Sequence, residues 1–248
     1  MCAAQRADSQ PVPRLRAVIF DWGGTLTPWH TVDLAEQWWV FARQVHAEEE
    51  KASSLAACLL AAEATAWGRG RTDHSSARLH EILAEAGVDE GHLQREAALT
   101  AYRQFWEPHT FTDEQTRPLW ERLHERGIRV GVLSNTIWPG DYHRGVFERD
   151  GVLDLIDADV YSSEIAWTKP HPEAFYAAAA ALGVEPSEAV YVGDRPFEDV
   201  YGSQVAGMRA IWIPHSEIPL AEQVSVDVTP DGVAHELLDI LEIVDGWH

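Results

Sequence analysis

The chain has 248 residues, of which 46% are hydrophobic, and carries a formal net charge of -21. That length and apolar share suit a globular protein with its own core, either one large domain with an insertion or two modest domains. The acidic balance argues against nucleic acid and against an anionic membrane as partners, and no apolar run approaches the ~20 residues of a membrane span.

In chain order, Met1 to Pro13 lacks the apolar stretch and cleavage site of a secretory signal and reads as a short frayed tail. Ala17-Val18-Ile19-Phe20 is the first β-like run and ends at Asp21. From about Trp29 to Trp106 no strand is expected. Leu34 to Trp67, rich in Ala, Leu, Glu and Trp, reads as two helices. Gly68-Arg69-Gly70-Arg71 reads as a turn between helices. Ser75 to Ala86 forms another helix stopped by Gly87, and His92 to Phe105 a further one, with Pro108 at the exit. Strands then resume, each followed by a helical segment. They are Ile128 to Leu133, ending at Ser134-Asn135; Ala158 to Tyr161; Ala189 to Val192, ending at Gly193-Asp194; Ala210 to Ile213; and an edge strand at Val224 to Val228. Short β-branched runs alternating with helices predict a parallel sheet covered on both faces. The expected fold is therefore α/β. A doubly wound, Rossmann-like core of residues 1–28 and 109–248 carries an inserted all-helical cap of residues 29–108.

Ligands of an open parallel sheet bind beyond the carboxyl ends of its strands. The polar residues delivered there are Asp21, Ser134 with Asn135, and Asp194 with Asp199, and Lys169 lies in the loop after the third strand. Lys169 is one of only two lysines, the other being Lys51. Gly23 and Gly24 allow a sharp turn that brings backbone amides to an anion, so Gly24 and Thr25 are counted as phosphate-binding. A carboxylate at Asp21 can attack phosphorus and form an aspartyl phosphate. Asp21 and Asp194, with the Gly23 carbonyl, form a candidate Mg²⁺ site of oxygen ligands. Ser134 and Asn135 can donate to phosphate oxygens, Lys169 can neutralise phosphate and nucleophile, and Asp199 can hold Lys169 or reach the metal through water.

These residues resemble the motifs of the haloacid dehalogenase superfamily, in the branch with a helical cap after the first strand. The resemblance lies in Val18 to Leu26, Val132-Leu133-Ser134-Asn135, Thr168-Lys169-Pro170 to Phe175, and Tyr191-Val192-Gly193-Asp194 with Asp199. It implies a Mg²⁺-dependent phosphatase of a small phosphorylated metabolite; cysteine usage points to a reducing cytoplasm, and a homodimer would be unsurprising. Phosphatases of that family usually carry a second Asp two residues after the nucleophile, as acid and base; here that position is Gly23. Such a group contributes roughly 10²–10⁴ in rate. Three expectations stay open: an acid from the cap (Asp33, Glu36 or His30), substrates with good leaving groups, or a weak phosphate-binding or interaction module. A fourth is a carbon–phosphorus bond hydrolase, since Asp-Trp-Gly-Gly-Thr also resembles phosphonoacetaldehyde hydrolases, which form a Schiff base on a cap lysine. Lys51, after Glu48-Glu49-Glu50, is kept protonated by its acidic neighbours, the wrong state for that nucleophile. Dehalogenases of the superfamily need no metal, whereas this chain keeps the acidic fourth motif.

In the cap, Trp29, Trp38, Trp39, Phe41 and Trp67 are expected mostly in the core, with one or two facing substrate. By resemblance, Arg69 or Arg71 contacts an anionic substrate; as a solvated turn they would not. His109, His124, His171 and His215 show no zinc spacing. Cys2 and Cys58 are too far apart in sequence to suggest a disulfide.

Overall fold

The structure is a computed structural model that describes residues 14–28, 30–214 and 223–247. The tail expected at 1–13, with Cys2, and Trp29 and His215 lie outside the described residues.

Six parallel strands form one sheet: β1 (Ala17–Phe20), β2 (Arg129–Ser134), β3 (Ala158–Tyr161), β4 (Ala189–Gly193), β5 (Arg209–Trp212) and β6 (Gly232–Val233). Their spatial order is β3-β2-β1-β4-β5-β6. β1 is central and every residue of it is buried, as a parallel strand covered on both faces requires. Phe20 pairs with Val132 on one side and Val192 on the other, so the next residues of three strands emerge together at one rim. The order reverses at β1, and the crevice beyond that switch point is where such sheets bind ligands. Helices α5 (Thr116–Glu125), α6 (Gly140–Arg149), α7 (Pro172–Leu182), α8 (Gly202–Val205) and α9 (Asp239–Asp245) belong to this part. One face of the sheet packs on Trp120, Leu123, Phe147, Ile240 and Val244, the other on Ala174, Phe175, Ala178 and Leu182.

Between β1 and α5 lie four helices and, among the described residues, no strand: α1 (Leu34–Val45), α2 (Glu49–Asp73), α3 (Leu79–Glu85) and α4 (Arg95–Trp106). Asp33 caps α1, its carboxylate accepting from the amide of Ala35 at 2.8 Å. The four helices have a core of their own in which Trp38 and Phe41 are fully buried, and Trp39 and Trp67 are half-buried against it. At its centre Glu63 accepts from Gln37 Nε2 at 2.9 Å, Trp38 Nε1 at 2.7 Å and Trp67 Nε1 at 3.5 Å. Gln37 Oε1 in turn accepts from Tyr102 Oη and Trp106 Nε1, both at 2.9 Å. Burial of a carboxyl is tolerated where donors converge on it. Ile137 and Trp138, from the loop after β2, complete this second core and dock it on the sheet domain.

Two local expectations are corrected. Residues 68–71 are not a turn: α2 continues through them to Asp73 and ends at His74 in the left-handed region, φ 57°. Gly70 is buried there, where an added Cβ would sit 3.4 Å from the Ser75 carbonyl and 3.7 Å from Thr168 Cγ2. That glycine thus serves close packing rather than a break. The edge strand is Gly232–Val233, not 224–228. Val224 stays 41% exposed, whereas the Asp231 amide and carboxylate bond to Ala210 O and N, each at 2.9 Å, and set the pairing downstream.

Candidate active site

Asp21 follows β1 and is buried. Its amide bonds to Val192 O at 2.9 Å, which ties the end of β1 to β4. The Trp22 carbonyl then accepts from the amides of Thr25, Leu26 and Thr27 at 3.4, 2.9 and 3.0 Å, closing the loop tightly on itself. Gly24 takes φ +83°, and a Cβ there would lie 2.5 Å from Asp194 Oδ2. Only glycine combines that conformation with that approach. Gly23 is different: a Cβ at Gly23 meets nothing within 4 Å.

Lys169 is the hub of the site and is buried. Its Nζ lies 2.9 Å from Asp21 Oδ1, 2.7 Å from Asp199 Oδ1 and 2.7 Å from Tyr191 Oη. Tyr191 Oη donates onward to Leu133 O at 2.7 Å, which leaves its oxygen to accept from the lysine. The lysine backbone is held as firmly: Asn135 Oδ1 accepts from Lys169 N at 2.9 Å and Asn135 Nδ2 donates to Lys169 O at 3.0 Å. Asp199 uses its other oxygen to accept from Arg195 N at 2.9 Å. Asp194 Oδ1 accepts from Thr25 Oγ1 at 3.3 Å.

Burial pushes the Asp21 carboxyl up to about 6, against the pull of the Lys169 charge, and Asp199 adds to the rise. Burial opposes the Lys169 ammonium too, but the charges of Asp199 and Asp21 outweigh it and hold the group above its ordinary value. Burial and the nearby carboxylates hold the Tyr191 phenol well above its usual range.

Four loop tips thus meet as the spacing along the sequence leads one to expect. Asp21, Asp194 and Asp199 each offer an oxygen within 4.8 Å of the others, all buried. The acid-rich, oxygen-only donor set fits a small hard cation such as Mg²⁺. Ser134 is buried at the end of β2. Two expected contacts take other forms: the Thr25 hydroxyl turns to Asp194, and the Asn135 amide clamps the Lys169 backbone. Arg69 and Arg71 are exposed on α2 rather than in a turn. Lys51 is an exposed lysine paired with Glu48 at 2.9 Å. Of the cap acids considered, Asp33 is committed to capping α1, and His30 Nδ1 pairs with His109 Nδ1 at 2.7 Å.

Sequence reading did not find Tyr191 or the cap network of Gln37 and Glu63. Tyr191 sits in an apolar strand with no local signal of a partner, and Gln37 and Glu63 are 26 residues apart on different helices.

The family model for haloacid dehalogenase-like hydrolase matches residues 15–207. The chain belongs to that family of hydrolases. It is 29% identical over 163 residues to a glyceraldehyde 3-phosphate phosphatase of Methanopyrus kandleri, an alignment covering 66% of this chain and 69% of that one. It is 34% identical over 103 residues to a phosphoserine phosphatase of Thermus thermophilus, covering 42% of this chain and 41% of the relative. Among solved structures, a HAD phosphatase from Thermococcus onnurineus superposes with a TM-score of 0.63 at 26% identity, covering 94% of this chain and 99% of the other. A 2-haloacid dehalogenase from Pseudomonas syringae pv. Tomato DC3000 superposes with a TM-score of 0.65 at 24% identity, covering 94% and 100%; that likeness concerns the fold alone. Among the described residues no helix is long and apolar enough to cross a membrane.

Proposed function

We propose that this protein is a Mg²⁺-dependent phosphatase of small phosphorylated metabolites that works through a phosphorylated Asp21. The observation that carries the reading is the hub at Lys169, whose ammonium touches both Asp21 and Asp199 while Asp194 lies alongside. Asp21 Oδ attacks phosphorus; Lys169 keeps that carboxylate ionised despite burial and offsets the charge of the incoming phosphate. Asp199 and Tyr191 hold Lys169 in place, and Asn135 fixes its backbone. Ser134 and the amides of the Gly24-Thr25 turn bind the phosphate oxygens. Mg²⁺, held by Asp21, Asp194 and the Gly23 carbonyl, would supply Lewis-acid charge beside the phosphate. Thr25 orients Asp194 for that role. Residues 29–108 act as a lid that excludes water and selects the substrate, and the exposed Arg69 and Arg71 of α2 add positive charge to it. Phosphatases among the relatives support this class over dehalogenation. The exposed, free thiol of Cys58 is in keeping with a reducing compartment such as the cytoplasm.

The test is phosphate release from a panel of phosphate esters and anhydrides with Mg²⁺ and with chelator. Asp21→Asn must abolish turnover and chelation must suppress it. Equal rates in wild type and Asp21→Asn would end the proposal. The carbon–phosphorus reading depends on a cap amine, and the exposed pair of Lys51 with Glu48 gives it no support.

A further inference from the structure

The departing group in phosphate transfer carries away an electron pair, and an alkoxide needs a proton as it leaves. Among the described residues, the proton-bearing side chain that pairs with Asp21 is Lys169. Gly23 has no side chain, and the space where a Cβ would point is open to 4 Å. An ammonium has three donors, and those of Lys169 are met by Asp21, Asp199 and Tyr191 at 2.9, 2.7 and 2.7 Å. The Tyr191 proton is committed to Leu133 O. Both oxygens of Asp199 accept, from Lys169 Nζ and Arg195 N. On the lid side, Asp33 caps α1, His30 pairs with His109, and Glu36 is exposed in the first turn of α1. Glu198, half-buried in the π-helical segment Pro196–Tyr201, interacts electrostatically with Lys169 and Asp199 but stands outside the group of carboxylates that share a 4.8 Å neighbourhood with Asp21.

We infer that the site is built for activated phosphates, acyl phosphates in particular, whose leaving group departs as a stable anion without being protonated. The inference rests on the phosphatase reading and narrows it to a substrate class. In the first step Asp21 Oδ forms a bond to phosphorus. The bond from phosphorus to the leaving oxygen breaks, and its electron pair departs with a carboxylate. A carboxyl group ordinarily titrates near ~4, so the carboxylate is stable at neutral pH. In the second step the oxygen of a water attacks phosphorus and the bond to Asp21 breaks. Phosphate leaves, and the proton released from the water goes to phosphate or solvent. The open space at Gly23 holds the bulk of the departing group.

The experiment compares kcat/KM for acetyl phosphate, p-nitrophenyl phosphate and glycerol 3-phosphate with Mg²⁺, in wild type, Asp21→Asn, Gly23→Asp and Glu198→Gln. Wild type should prefer acetyl phosphate over glycerol 3-phosphate by roughly 10²–10⁴, the contribution of a general acid. Gly23→Asp supplies a carboxyl into the open space and should raise glycerol 3-phosphate turnover at least tenfold more than acetyl phosphate turnover. Asp21-dependent turnover that is equal for the two substrates in wild type would overturn the inference and leave the phosphatase reading standing. Selective loss of glycerol 3-phosphate turnover in Glu198→Gln would also overturn it, by locating a proton donor. If Gly23→Asp does not fold by circular dichroism, the wild-type ratio alone decides. If no substrate is turned over in an Asp21-dependent way, the phosphatase reading fails instead.

Discussion

Replacing Lys169 by Met removes the one buried lysine or arginine among the described residues while roughly keeping its volume. At 2.9 Å and 2.7 Å from two carboxylate oxygens, each attraction is on the order of 6 kcal/mol at an effective dielectric near 20. Breaking a buried pair from one side costs ~3–5 kcal/mol, because the partner charge stays behind. We expect the metal-free variant to lose about that much stability at pH 7. The pH dependence is the sharper check. In wild type the folded Asp21 carboxyl titrates at about 6, above the ~3.9 of an unfolded chain. Folded protein therefore binds more protons than unfolded between those values, stability falls as pH rises through that window, and the effect is complete once pH passes 6. Without Lys169 the folded value rises further, so the loss continues above pH 6 at about 1.4 kcal/mol per pH unit. The assay is urea unfolding with chelator at pH 6, 7 and 8 for both proteins. The wild-type curve should level off in this term while the gap to Lys169→Met widens. A gap constant from pH 6 to 8 would refute the electrostatic reasoning, whatever the size of the loss.

Gly24→Ala should cut kcat/KM on the order of 10²-fold and raise the Mg²⁺ concentration for half-maximal activity. Its Cβ would strike Asp194 Oδ2 at 2.5 Å in a backbone held at φ +83°; unchanged metal dependence would contradict this. Glu63→Gln offers one acceptor where the carboxylate now serves three donors. It should destabilise the helical insertion by about 1–3 kcal/mol and alter the near-ultraviolet dichroism of Trp38 and Trp67. His143 is buried, with Nε2 3.0 Å from Thr136 Oγ1, and burial pushes its imidazole down to about 3. An unfolded histidine takes its proton near ~6.5, so stability is lost as pH falls below that value, by about 3 kcal/mol at pH 4. His143→Gln should flatten that part of the acid limb in urea titrations, and parallel curves would sink the assignment.

Legibility from sequence followed the range of the interaction. The strands before Asp21, Ser134 and Asp194 were readable because a fully buried parallel strand demands a short β-branched run, and the polar residue ending it stands out. Asp21, Ser134, Lys169 and Asp194, in chain order, then point to one rim, and the sheet order places the strand ends there. The extent of α2 is not legible at Gly68 and Gly70, since a glycine packed against Thr168, as Gly70 is, looks the same in sequence as one that ends a helix. The edge strand is not legible in sequence because Gly232–Val233 has no hydrophobic pattern and is set by bonds from Asp231 to β5.

Local chemistry in the chain therefore determined the parallel sheet, the helical insertion and the residues gathered at the strand ends. Tertiary structure alone decided what those residues do to one another. It spent the Lys169 protons on Asp21, Asp199 and Tyr191, turned Asn135 and Thr25 toward Lys169 and Asp194, and left open space beside Gly23. Within this site hydrogen bonding acts between residues 169 positions apart in the chain, as from Thr25 to Asp194, a distance over which neither periodicity nor spacing carries a signal.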